Sequence, residues 1–151
     1  MSAATKEEYE LLVSQAKALV AGETDWIANT ANLSALLFNS LHNVNFVGVY
    51  RYENGELILG PFQGMPACVH IQMGKGVCGT AAAEEKTQIV PNVHEFAGHI
   101  ACDSASNSEI VVPLFKNNQL WGVFDFDSTE LHNFDELDKK YLTEIGDTIF
   151  N

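Results

Sequence analysis

Basic residues are scarce in this sequence. Eight lysines and arginines stand against 20 acidic residues in a chain of 151, for a net charge of -12. Arg51 is the one arginine, and only Lys139 and Lys140 are adjacent. Binding dominated by phosphate contacts needs clustered Lys and Arg, so DNA, RNA and anionic membrane surfaces are poor partners. An acidic small ligand stays open, because one pocket can differ from the whole surface; the overall acidity reads as solubility. Long apolar runs are missing too. No stretch approaches the roughly 18 residues of a membrane span. The opening stretch MSAATKEEYELL has neither the basic start and apolar core of a secretory signal nor the arginines of a transit peptide, which gives the expectation of a cytoplasmic protein.

Cysteine is also sparse. Cys68, Cys78 and Cys102 are an odd set that cannot close into bridges, and a reducing compartment disfavours structural disulfides. They are left as buried fillers, metal ligands or redox groups. Cys68-x-His70 and His94-x4-His99-x2-Cys102 contain soft ligands but lack the paired CxxC or helical HExxH spacing of zinc sites, so no metal is expected. GKG at 74–76 lacks the upstream glycine and following Ser or Thr of a phosphate loop, and neither GxSxG nor GxGxxG occurs. The five histidines are scattered, and none is assigned to catalysis.

What is present fits one folded domain spanning 1–151: 46% hydrophobic and 19% charged residues, with no linker, repeat or low-complexity tract. Residues 5–21 read as a helix with Leu12, Ala16, Leu19 and Val20 on one stripe, stopped by Gly22. Thr24 is a plausible N-cap for a second helix, in which Trp26, Ile27, Thr30, Leu33, Leu37 and Leu41 recur at helical spacing. From Asn45 the period changes to two, and both faces are largely apolar, as in a strand covered on both sides. Asn54-Gly55 signals a hairpin with a return strand at 56–60. A loop with Pro61, Gly64 and Pro66 leads to a third strand candidate at 68–73. A short helix at 77–86 and a short strand at 88–90 follow. Residues 91–108 form a long aperiodic segment rich in small residues, of the kind that is usually functional or disordered. A second hairpin joins 109–116 to 119–127 through Asn117-Asn118, and 134–150 closes the chain as a helix with Leu137, Tyr141, Ile145 and Ile149 in register. The expected architecture is α+β: an antiparallel sheet of five or six strands with helices packed against it.

The most unusual segment is WGVFDFDS at 121–128. On a strand, Asp125 and Asp127 share one face while Phe124 and Phe126 take the other. Two aspartates in apolar surroundings are costly unless that face is wet or meets a ligand. Asp127 alone also reads as a strand end turning into solvent at Ser128; Asp125, deeper in the strand, reads as functional. Glu109 opens the preceding strand. Where it faces the same side, clustering would raise the carboxyl pKa values and keep one group protonated as an acid. Cys78 follows the Gly-Lys-Gly turn at a helix start, where the helix dipole and Lys75 would favour thiolate; it reads equally as a small packing residue. Cys68 at a strand start suits an edge filler. Cys102, in a polar loop beside Asp103, is a poor core residue.

The runs NFVGVY (45–50), GPFQGMPAC (60–68), GKGVCGTAAAEEKTQIVPNVHEFAGHIACD (74–103), SEIVVPL (108–114) and VFDFDS (123–128) together closely resemble the free methionine-R-sulfoxide reductases, which are single GAF-domain enzymes. The resemblance covers about residues 25–148 and includes three cysteines in the family's order and spacing. It implies a GAF-like fold and the reduction of free L-methionine (R)-S-oxide to L-methionine. It assigns Cys102 as nucleophile, Cys68 as resolving thiol and Cys78 as a third cysteine, a relay or alternative resolving thiol; spacing alone favours Cys78 as the activated thiol. It places Glu109, Asp125 and Asp127 around the substrate's ammonium and sulfoxide oxygen, and Phe46 and Tyr50 in an aromatic pocket. The first of these is commonly Trp in the family, so Phe46 is a departure. It further implies a sulfenic acid, an intramolecular disulfide recycled by thioredoxin, no cofactor, and a homodimer. An amphipathic first helix that no later element obviously covers is compatible with the dimer. The competing reading is a non-catalytic GAF module that senses a small molecule, against which the cysteine triplet stands.

Overall fold

A computed structural model describes residues 1–98 and 105–150. Four helices and six strands are formed among them: α1 (Lys6–Val20), α2 (Trp26–Ser40), β1 (Val44–Glu53), β2 (Glu56–Gly64), β3 (His70–Gln72), α3 (Gly76–Glu84), β4 (Gln88–Val90), β5 (Ser108–Lys116), β6 (Gln119–Ser128) and α4 (Glu136–Gly146). The strands make one antiparallel sheet in the order β3-β2-β1-β6-β5-β4, at the upper end of the expected strand count. No helix among the described residues is long and apolar enough to cross a membrane.

Local chemistry sets the ends of these elements. Thr5 and Glu8 form a capping box on α1, and Asp135 and Asp138 form another on α4, each satisfying helix-start N–H groups. The second helix is capped by Asp25, one residue after the expected Thr24. The Asp25 carboxylate accepts from the N–H groups of both Ile27 and Ala28, and its charge suits the positive helix end. Both hairpins turn on two left-handed residues, Asn54-Gly55 and Asn117-Asn118, matching the twist of the strands they join.

The sheet divides the interior in two. On one face α1, α2 and α4 bury Leu12, Leu33, Leu37, Leu142 and Ile145 against Val47, Val49, Ile110, Val112, Phe124 and Phe126. On the other, α3 packs Val77, Ala81 and Ala82 against Tyr50, Val111 and Val123. Each large side chain so buried contributes about 1.5–3 kcal/mol. The α1 stripe is covered by this arrangement: Tyr9, Leu12, Val13, Ala16 and Val20 are buried. The uncovered stripe expected from the sequence is therefore not present, and Leu19, assigned to it, is 44% exposed.

Several boundaries differ from expectation, and the closing helix runs only over Glu136–Gly146, because its last turn breaks into short-range turn bonds at Thr148 and Ile149. The return strand of the first hairpin runs on to Gly64 instead of stopping at residue 60. Pro61 would normally end it, but the register shifts there, so that Gly60 and Pro61 oppose the single residue Val49, and a bulge does not need the proline's missing N–H. The third strand is shorter, and Cys68 lies just before it. Within the long aperiodic segment, Val93–Glu95 forms a 3₁₀ turn capped by the side chain of Asn92.

Candidate active site

Strand register assembles the acidic groups. Glu109 on β5 lies directly opposite Asp127 on β6, and Asp127 lies opposite Phe46 on β1. Asp125, two residues back, faces Gly48. All three carboxylates share the α3 face of the sheet, because their neighbours Ile110, Phe124 and Phe126 belong to the opposite layer. A second bulge, at Asn45, adjusts β1 beside Phe46 and Asp127.

Glycine makes room for the aromatic wall. A Cβ at Gly48 would sit 2.3 Å from the Cβ of Phe62 and 3.1 Å from the ring of Phe46. Without one, the rings of Phe46 and Phe62 stack at 5.3 Å with a 17° interplanar angle. Sequence reasoning left Phe62 in a loop and missed it. A glycine inside an otherwise bulky strand is the signal that marks such a close approach.

These groups line a cleft of about 560 Å³, including the space open to solvent at its mouth. Phe46, Tyr50, Cys78, Glu109, Asp125 and Asp127 all border it, so six of the eight residues singled out from the sequence come together. Met65, Pro66 and Ala67 form a rim leading to Cys68, whose carbonyl accepts from the Tyr50 hydroxyl at 3.1 Å. Lys75, expected beside Cys78, also borders the cleft, as does Ser106, which was not anticipated; Ser106 is buried and accepts from the Asn45 side chain. Cys68 is disulfide-bonded, and Cys78 is a free thiol. Cys102 lies outside the described residues, as do His99 and Asp103.

Burial decides the electrostatics. Glu109 and Asp125 are 8% and 5% exposed. Desolvation pushes the Glu109 carboxyl well above the usual carboxylate range, and the neighbouring Asp125 and Asp127 push it further, so its protonated form is favoured. Asp125 is raised by burial, an effect partly offset by the nearby Glu109, Asp127 and Cys78 side chains, which favour its charged form. The Cys78 thiol, 3.9 Å from Glu109 Oε2, is pushed well up, first by burial and then by Asp125, Glu109 and Asp127. That corrects the expectation of a Cys78 thiolate. The sulfur does stand in the first turn of α3, but full desolvation and three carboxyl groups outweigh the helix dipole and Lys75. Tyr50 is likewise raised by burial and by Asp125.

The arrangement can hold a cation against acidic oxygens, offer a proton from a neutral carboxyl, and place both beside the Cys78 thiol. Of the residues first considered for metal, His70 pairs with Glu56 at 2.9 Å and His94 contacts Asn107 at 2.9 Å, while His99 and Cys102 lie outside the described residues.

The fold and this cleft define a GAF domain, whose family model matches residues 32–150. Free methionine-R-sulfoxide reductase of Escherichia coli is 50% identical over 139 residues, covering 92% of this chain and 84% of its own. The fRMsr of Staphylococcus aureus in complex with substrate is 53% identical with a TM-score of 0.90, covering 93% and 92% of the two chains. Free methionine-R-sulfoxide reductase of Neisseria meningitidis, solved with its substrate, is 42% identical with a TM-score of 0.91, covering 99% and 91%. The chain belongs to the GAF-domain family of free methionine-R-sulfoxide reductases.

Proposed function

We propose that this chain, acting as one catalytic domain over 1–151, reduces free L-methionine (R)-S-oxide to L-methionine. The observation that carries the reading is the buried carboxyl cluster with a proton-retaining Glu109 in a cleft bordered by Phe46 and Tyr50 and rimmed next to Cys68. Cys102, as thiolate, attacks the sulfoxide sulfur. Glu109 and Asp127 deliver the proton that the oxygen needs as the sulfur is reduced. Methionine departs and Cys102 is left as a sulfenic acid. Cys68 condenses with it, forming a disulfide and releasing water. The participation of Cys68 in a disulfide supports its resolving role. A dithiol protein, thioredoxin, supplies two electrons to reopen the bridge. Cys78, a buried thiol against Glu109, serves as a relay or alternative resolving thiol.

Asp125 takes the substrate's ammonium. A methionine sulfoxide residue within a polypeptide has no such amine, so an enclosed acidic pocket selects the free amino acid. The thiols carry both electrons, and the chemistry calls on no flavin, nicotinamide or metal. The family resemblance supports a homodimer, and a cycle driven by thioredoxin suits a reducing cytoplasm. The test is incubation with dithiothreitol and racemic free methionine sulfoxide, with the epimers resolved. The R epimer should disappear and the S epimer persist. Binding without consumption of either would establish the sensor reading in its place.

A further inference from the structure

We propose that Cys78, Glu109 and Asp125 form a site for one thiophilic divalent cation of the zinc class, and that a cation there excludes the substrate. The second half rests on the function proposed above; the first stands on geometry. The Cys78 sulfur and one oxygen from each carboxylate all lie within 4.8 Å of one another, and all three residues are buried. Zinc–sulfur and zinc–oxygen bonds of about 2.3 and 2.0 Å at a tetrahedral angle put sulfur and oxygen roughly 3.5 Å apart. The Cys78 sulfur and Glu109 Oε2 are 3.9 Å apart, a few tenths of an ångström from that spacing, and side-chain rotation about the carboxylates brings the third donor in from within 4.8 Å.

A further observation points to a positive ligand. Asp125 is 5% exposed, and its Oδ1 is fully buried without a hydrogen-bond partner among the described residues. An unsatisfied buried carboxylate oxygen is costly and calls for a cation or donor. Neither Glu109 nor Asp125 makes an ion pair with a basic side chain among the described residues. The donors also stand on firm supports. Glu109 and Asp125 are on paired strands β5 and β6, while α3 is pressed so close to the preceding turn that a Cβ at Gly79 would meet the Gln72 carbonyl at 2.5 Å. Donors held on regular elements keep their geometry when the ligand arrives. The sulfur selects the cation: magnesium and calcium take oxygen ligands, whereas thiolate with carboxylate suits zinc and cobalt. The same site would tie up the proton-bearing Glu109 and the ammonium partner Asp125.

Cobalt(II) reports sulfur ligation through a near-ultraviolet charge-transfer band. It would be titrated into two preparations without reductant: oxidised wild-type protein, and the Cys68→Ser/Cys102→Ser protein, in which Cys78 is the last thiol. Both should show the band at one equivalent per chain. Adding Cys78→Ser should abolish it, and Asp125→Asn should weaken the cobalt affinity at least tenfold with the fold intact by circular dichroism. Saturating free methionine sulfoxide should displace the metal. Absence of the band from both preparations, or its survival in the protein lacking Cys78, overturns the site. A band that substrate leaves untouched overturns the exclusion. The epimer assay reads the reductase function separately, so failure of one does not pass for failure of the other.

Discussion

Glu109 and Asp127 face each other directly across the β5–β6 pair, two carboxyl groups placed where cross-strand neighbours normally stabilise a sheet. Like charges opposite one another are destabilising, and burial of Glu109 removes the water that would screen them. Burial and the neighbouring Asp125 and Asp127 favour the protonated form of Glu109, and a neutral partner relieves that repulsion. If these groups deliver that proton to the sulfoxide oxygen, Glu109→Gln and Asp127→Asn should each slow the chemical step by about 10²-fold or more. Asp125→Asn should act chiefly by raising KM. Three folded variants with unchanged single-turnover rates and affinities would reduce the cluster to a strand decoration.

The retained proton also sets a pH dependence. An acid catalyst works while protonated, so the chemical step should fall as pH rises through the elevated Glu109 value, and Glu109→Gln should lack that limb. Single-turnover rates against pH measure it.

Stability should follow the same proton. The unfolded chain loses the Glu109 proton near the ordinary value of about 4.3, whereas the folded chain holds it to higher pH. Stability from this group is therefore full below the unfolded value and declines as pH rises through the folded one. Glu109→Gln should be more stable than wild type at neutral pH and flatter in its pH profile by urea unfolding. A variant less stable than wild type at neutral pH would contradict this.

Cys102→Ser should abolish methionine formation even in one turnover of fully reduced protein, because no sulfenic acid can form at that position. Stoichiometric methionine from this variant would pass the nucleophile's role to Cys78. Cys68→Ala should instead yield about one methionine per chain and then stall with thioredoxin, since attack precedes resolution. Steady turnover at the wild-type rate would mean that Cys78 resolves the intermediate unaided.

Gly48→Ala should crowd Phe62 and Phe46, costing about 1–3 kcal/mol in stability as overpacking does. It should also raise KM by shifting the aromatic wall. Unchanged unfolding and unchanged KM would show that the strands part freely at this point.

Much of this was legible in the sequence because the relevant rules are local. The alternation in VFDFDS separated Asp125 and Asp127 from Phe124 and Phe126, and the asparagine turns fixed both hairpins. What escaped depended on neighbours. The extension of β2 past Pro61 needs the bulge opposite Val49, which only the paired strand reveals. The face taken by Glu109 is a matter of register between β5 and β6. The charge state of Cys78 was misjudged because a helix start is visible in the sequence, whereas the three carboxyl groups around the sulfur arrive from distant strands. The cover over the α1 stripe likewise comes from α2 and from α4, the latter more than a hundred residues later, as where Tyr9 stacks on Tyr141.

The two faces of β6 have a consequence for folding. A slip of one residue against its neighbours would turn Asp125 and Asp127 into the oily layer beneath α1, α2 and α4, and bring Phe124 and Phe126 out beside α3. Misaligned chains would then suffer twice, by stranding charge in oil and by uncovering two aromatic rings. The carboxylates that strain the finished sheet thus also proofread its assembly, and replacing both by apolar residues should give a strand that is more comfortable in place but less certain of where it belongs.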